Sequence, residues 1–335
     1  MEREDNMNLE QFGNKICSAL KEAMGTGYEI AFREVTKNNG VRLHGVIITG
    51  KESNVSPTVY IDELYEEFEA GRAIGDIVYD ILCIYQKNAR EINVDMDFFT
   101  QYAQAESRIL YKLIHRESND GLLGEIPYVA WNDLAIVFYY AFEDERFGKA
   151  TILIKNSHLA MWGIDVPALY EAAKTNMLRL RPEELMPVRQ LIQEFLEKNP
   201  CGHPGVTRIA APDGTGVTLA AGTASASGSA LMSDSASAPG TAMYVLSNCD
   251  RVFGASAMLY SGAMKRLAGE LDRNLIILPS SVHEVILVPD DGITEKEFYR
   301  EMVREVNDTQ VEPEERLSYN VYYYDRVLGK ISILE

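Results

Sequence analysis

The segment Leu278-Pro279-Ser280-Ser281-Val282-His283-Glu284 brings hydroxyls, an imidazole and a carboxylate together in one short stretch. Such a set could supply a nucleophile, a general base and a group that orients the base. Ser280, Ser281, His283 and Glu284 are therefore the candidate catalytic residues, and the chemistry would be hydrolysis. Geometry weakens that reading. On an extended strand Ser281 and His283 share a face while Glu284 points the other way. The chain has no Gly-x-Ser-x-Gly elbow, and triad members normally converge from distant segments. The same residues make an ordinary turn, with serine hydroxyls bonding backbone amides and His283 and Glu284 beginning the next strand. The turn outweighs the triad.

The other residues that could do chemistry are dispersed. His44, His115, His158, His203 and His283 include no pair four positions apart and no HExxH spacing, so no metal ligand set is assigned. Cys201 and His203 have no second pair of ligands nearby in sequence. Asn156, Ser157 and His158 follow a strand ending at Ile154 and open a helix, a position suited to ligands. It equally suits an N-cap made by Asn156 or Ser157, with Trp162 in the core. Asn248 and Arg251, with Asp250, occupy the loop Ser247–Gly254, which lacks the Asp-x-Asp-x-Asp-Gly pattern of a calcium loop. Asn156, His158, Asn248 and Arg251 are the candidate binding residues. Asp290-Asp291-Gly292 reads as a turn, with Thr294 and Glu297 forming a capping box. No Walker loop and no Gly-x-Gly-x-x-Gly fingerprint occurs, so no cofactor is assigned.

The elements that must position these residues belong to a chain of 335 residues with 32 basic and 50 acidic side chains, a formal net charge of −18. That field opposes a sequence-independent grip on nucleic acid or on an anionic membrane. Four cysteines are too few for a disulfide scaffold at this length. No apolar stretch is long enough to span a bilayer. The opening MEREDNMNLEQFG lacks the basic and apolar regions of a secretory signal, so a cytoplasmic protein is expected.

One break in composition organises the chain. Of the 41 residues from Pro200 to Gly240, 30 are Gly, Ala, Ser, Thr or Pro, and none is aromatic. A segment so poor in large apolar side chains reads as a flexible linker. It divides the chain into an N-terminal part, 1–199, and a C-terminal part, 241–335. Helical spacing of Phe12, Ile16 and Leu20 predicts a first helix, and a hairpin follows around Lys37-Asn38-Asn39-Gly40. Helices are expected over Asp62–Glu69, from Ile74 onward, over Val166–Leu178 and over Pro182–Lys198. Strands are expected over Ala135–Phe142, Ala150–Ile154, Met243–Leu246, Ala255–Tyr260, Leu275–Leu278, Glu284–Val288, Tyr319–Asp325 and Lys330–Leu334. The last long helix is expected from Thr294 to Val306. Mixed helices and hairpin-joined strands give an α+β class, in two parts joined by the Gly/Ala/Ser-rich linker. Phe147-Gly148 with its following strand and helix matches Phe253-Gly254 at a constant offset, a pattern that would mark a duplication. Shared strand–helix grammar explains it as well.

Two helices carry acidic faces: Asp62, Glu63, Glu66, Glu67 and Glu69 on one, Glu295, Glu297, Glu301 and Glu305 on the other. Such faces are usually solvated; some dock basic partners. Tyr322-Tyr323-Tyr324 puts two rings on one face of a strand and one on the other, for packing or for an interface.

Several stretches together carry a resemblance. These are Ala150–Asn156 with His158 and Trp162-Gly163, Met243–Asn248, Gly254–Ser256, Tyr60–Tyr65 and above all Ile276–Asp291. The chain resembles a bacterial domain-of-unknown-function family, family 5688, of anaerobic gut bacteria, and more remotely a family of the YtpQ type. The resemblance implies a shared fold, a cytoplasmic bacterial origin and a recurrent segment around His283. It implies no activity, catalytic residue or cofactor. The leading expectation is a non-catalytic interaction or regulatory module, with a protein partner through its acidic faces and no nucleic acid or membrane. The alternatives are a hydrolase-like enzyme around Ser281 and His283, and a defence- or mobile-element-associated binding protein.

Overall fold

The computed structural model describes residues 7–51, 56, 58–88, 97–144, 148–198, 242–260, 262–279 and 281–335. Helix α1 (Leu9–Met24) begins where the Asn8 side chain accepts the Gln11 amide and Gln11 returns a bond to the Asn8 amide. Phe12, Ile16 and Leu20 form its buried stripe, as their spacing predicts. It packs on an antiparallel sheet of β1 (Tyr28–Thr36), β2 (Arg42–Gly50) and β3 (Thr58–Tyr60). Helices α2 (Asp62–Glu69) and α3 (Ile74–Asn88) close that layer, where Ile77 and Ile81 meet Val46 and Ile48. The β1–β2 turn is tied to distant chain: the Asn39 amide nitrogen donates to the Pro313 and Arg316 carbonyls, and Asn38 donates to that of Glu314.

A second sheet is built around β6 (Leu134–Asp144). It pairs antiparallel with β4 (Ile109–His115), β5 (Tyr128–Trp131) and β7 (Gly148–Leu153). Short helices α4 (Asp97–Thr100), α5 (Tyr102–Ala105) and α6 (Asp120–Leu123) surround it. Helix α7 (Asn156–Trp162) leads to α8 (Val166–Leu180), which Asp165 caps by accepting the Ala168 amide. Leu169, Ala173 and Met177 of α8 join Ile109, Tyr111 and Phe138 in the largest core.

The third sheet has six strands, all paired antiparallel. Its order is β13 (Lys330–Ile333), β12 (Tyr322–Asp325), β10 (Leu275–Leu278), β11 (Val285–Pro289), β9 (Tyr244–Asn248) and β8 (Glu183–Pro187). Both faces are covered. Leu275, Ile277, Leu287, Tyr322 and Tyr324 enter the largest core, while Ile276, Leu278, Ile286 and Val288 pack on the other side with Tyr299, Val303 and Val306. Burial on both faces explains why Leu275–Leu278 and Val285–Pro289 are continuously apolar rather than alternating. Helices α9 (Val188–Lys198), α10 (Ala257–Tyr260), α11 (Ala263–Leu271) and α12 (Lys296–Thr309) complete the chain, which is α+β. No described helix is long and apolar enough to cross a membrane.

Several expectations need correction. Pro182–Lys198 is not one helix: Glu183–Pro187 is a strand paired with Tyr244–Asn248, and the helix begins at Val188. The strand lies at the sheet edge, where a proline without an N–H is tolerated. Residues from both sides of the 200–240 stretch therefore share a sheet; that stretch itself lies outside the described residues. Ala255–Tyr260 is not a strand but a 3₁₀ turn over Gly254–Ser256 followed by α10. Its counterpart in the supposed repeat, Thr151–Leu153, is strand, so the matching grammar does not hold. Thr294 makes no capping box. Its amide and hydroxyl both donate to Asp291, which also accepts the Ile293 amide.

Candidate functional site

The β10–β11 connection carries the Ser281–Glu284 segment, which bends at Val282-His283 and is not the extended strand on which Glu284 would face away. The Ser281 hydroxyl donates to Glu284 Oε1 at 3.1 Å and accepts the His283 amide at 3.0 Å. Ser281 is fully buried. Ser280 lies outside the described residues. The Val282 amide donates to the Glu315 carbonyl, and the Val282 carbonyl accepts the Ala255 amide. The turn is thus stitched to two other segments through its backbone.

The His283 ring is committed as well. Its Nδ1 accepts the Phe253 amide at 3.2 Å, so the ring proton resides on Nε2, which faces Glu315 Oε1 at 3.7 Å. The ring stacks on Phe253, with centroids 5.7 Å apart. Beyond Phe253, the half-buried Lys112 places its Nζ 4.3 Å over the same ring. Burial, and secondarily the nearby Lys37, lowers the Lys112 ammonium to about 8. Below the turn, the Ser247 hydroxyl donates to the His283 carbonyl at 2.7 Å.

A nucleophilic serine must give its proton to the base. Here the Ser281 proton points at Glu284, and the lone pair on His283 Nδ1 is held by an amide. Among the described residues no hydrogen bond joins the Ser281 hydroxyl to the His283 ring. The arrangement therefore does the work of a clamp: it fixes β10, β11, the Val252–Gly254 loop and the Glu315 segment against one another.

The candidate binding residues are engaged by neighbouring protein groups, although Asn156 is exposed. Asn248 is fully buried; it donates to the Val252 carbonyl and accepts the Asp250 and Val252 amides, closing its own loop. Arg251 forks onto Glu184 at 2.8 and 3.2 Å and reaches Glu194 at 3.1 Å, so it ties that loop to β8 and α9. Asn156 is the first residue of α7 and not its cap. The bond reaching back comes from His158, whose Nδ1 accepts the Lys155 amide at 3.0 Å. Burial, with Lys155 nearby, lowers the His158 imidazole below its ordinary value. Trp162 packs on Phe99 and Tyr102 and donates its indole N–H to the Phe99 carbonyl.

Sequence reasoning gives Phe253 and Gly254 no part in the site and passes over Lys112 and Glu315; all four lie around the Ser281–Glu284 segment from distant parts of the chain. Lys112 leaves one trace, as the charged residue within the apolar run Ile109–Ile114. Cys201 and His203 lie outside the described residues. Among the described residues no group of three or more His, Cys, Asp or Glu side chains could hold a metal ion. No curated protein and no solved structure matches the chain. The family model described as "Family of unknown function (DUF5688)" matches residues 9–326, and the chain belongs to that family.

Proposed function

We propose that the chain is a cytoplasmic, non-catalytic interaction module that engages a basic protein partner. The observation that carries this reading is the β12–β13 turn, where Val327 is 85% and Leu328 68% exposed. The turn is rigidly held: Asp325 Oδ1 accepts both the Val327 and the Leu328 amide at 2.8 Å, and the Asp325 carbonyl accepts the Gly329 amide. Ile293, 86% exposed, lies in a second loop at the same sheet end. Asn274 joins the two loops, its carbonyl accepting the Asp290 amide and its side chain the Arg326 amide. Apolar side chains displayed on a fixed frame and rimmed by Asp290, Asp291 and Asp325 fit an anchor-and-rim contact. The charge of −18 favours a cationic partner. The inward commitment of Ser281 and His283 supports the non-catalytic half of the reading.

Affinity capture with the full chain tests it, using lysate of the cells that express it at low and at high salt. A basic protein recovered at low salt and released at high salt, and lost with the double variant Val327→Asp, Leu328→Asp, is the expected result. Recovery of no such protein, or equal recovery by the variant, overturns the reading.

A further inference from the structure

A groove of about 250 Å³ opens beside the C-terminal end of α8, where Arg108, Arg179 and Arg181 face Glu143. Three guanidinium groups around one groove stand out in a chain of net charge −18. Their partners leave positive charge over. Arg179 bonds neutral acceptors, the Ser107 carbonyl and Asn176 Oδ1. Arg181 bonds the Leu180 carbonyl at 2.8 Å and Asp250 at 3.0 Å. Asp250 is already shared with Lys149 at 2.8 Å, and Lys149 also faces Glu143 at 4.0 Å. Arg108 is exposed, and among the described residues no carboxylate lies within ion-pair reach of it. In the lining of the groove three guanidinium groups thus meet one carboxylate, Glu143.

Two of the arginines are held in place before any ligand arrives. The Arg181 side chain is 13% exposed and lies against the buried Tyr139 phenol, which burial pushes up to about 12 despite the guanidinium. Arg179 is fixed by its two acceptors. Arg108 completes the set from the mouth.

We propose that this groove binds the phosphate group of a small phosphate monoester. Guanidinium forks match phosphate oxygens, and the excess of positive charge suits a dianion better than a carboxylate. The volume is below that of pockets for drug-sized ligands, so the ester group is short, with Ala141 and Leu180 as its apolar wall. Arg179 also offsets the negative end of α8, a structural role that needs no ligand. Arg108 lies outside that helix, at the end of the short turn Glu106–Arg108 and near the Tyr140 phenol, and it is the arginine that the test varies.

The test is calorimetric titration of the full chain at low ionic strength with inorganic phosphate and glycerol phosphate, against acetate and glycerol. The expected result is saturable one-site binding of both phosphates, weaker binding of acetate, and none of glycerol. Arg108→Glu should weaken glycerol phosphate at least about tenfold at unchanged Tm, and Arg108→Lys should retain part of the affinity. Binding of neither phosphate, acetate bound as tightly as phosphate, or an Arg108→Glu variant that binds as before would overturn the proposal.

Discussion

Gly254 packs so closely on Ser247 that a Cβ on the glycine would stand 2.0 Å from the serine hydroxyl oxygen and 2.5 Å from the His283 carbonyl. The same hydroxyl donates to that carbonyl, so the three groups form one contact between the Val252–Gly254 loop, β9 and the β10–β11 turn. A side chain has no room there because the obstacle is partly main chain, which cannot swing aside.

Gly254→Ala should therefore destabilise the chain by about 1–3 kcal/mol through overpacking. Urea denaturation reads this as a lower midpoint at an unchanged slope. A variant as stable as the parent would mean that the backbone approach is looser than the geometry states.

Ser281→Ala should also behave as a structural lesion. It leaves the part-buried His283 amide without its acceptor, at a cost of about 1–3 kcal/mol. Partner capture by the folded variant should match the parent. Loss of an ester-cleaving activity with no loss of stability would show instead that the hydroxyl is a nucleophile.

What could be read from the sequence follows from where each cause lies. Helix α2 needs only its own residues, and its expected limits, Asp62–Glu69, coincide with those found. Leu275–Leu278 is apolar throughout, and a strand buried on both faces needs nothing more to announce it. Strand β8 is different: Glu-Glu-Leu-Met-Pro has no alternation, and it is extended because Tyr244–Asn248 supplies its ladder across an intervening stretch of chain. The small residues after Phe253 fit strand or helix equally well, and tight packing on Ser247 and the His283 carbonyl decides. The same holds for the site. The types of Ser281, His283 and Glu284 suggested chemistry, but Phe253, Lys112 and Glu315, which set what those groups can do, come from remote segments. The arginines of the groove carry no motif at all; two segments remote in sequence bring them together, the short turn ending at Arg108 and the end of α8.

Asp133 accepts from the hydroxyls of Ser318 and Tyr322 and from the side-chain Nδ2 of Asn320. Tyr322 is fully buried, and burial together with Asp133 raises its phenol far above the ordinary range. Asp133→Ala removes the carboxylate acceptor of that buried hydroxyl and should cost about 2–3 kcal/mol. Tyr322→Phe removes the donor itself and should cost less. Thermal melts of the two variants decide, and Tyr322→Phe proving the more damaging would contradict the hydrogen-bond account.

Lys112 gives the pH dependence its sign. Its folded value of about 8 lies below the ordinary 10.5, because burial, and secondarily Lys37, disfavours the ammonium. Between those pH values the unfolded chain holds a proton that the folded chain has released. Stability should therefore rise with pH across that window, and the full penalty should stand below about 8. Lys112→Met keeps the apolar stem on Phe253 and removes the charge, so it should be more stable than the parent at neutral pH. The gap should close as pH climbs from about 8 to 10.5. Urea midpoints of both proteins, followed from neutral pH upward, measure this. Two curves that stay parallel through the window would place the lysine in solvent and remove it from the cluster around Phe253 and His283.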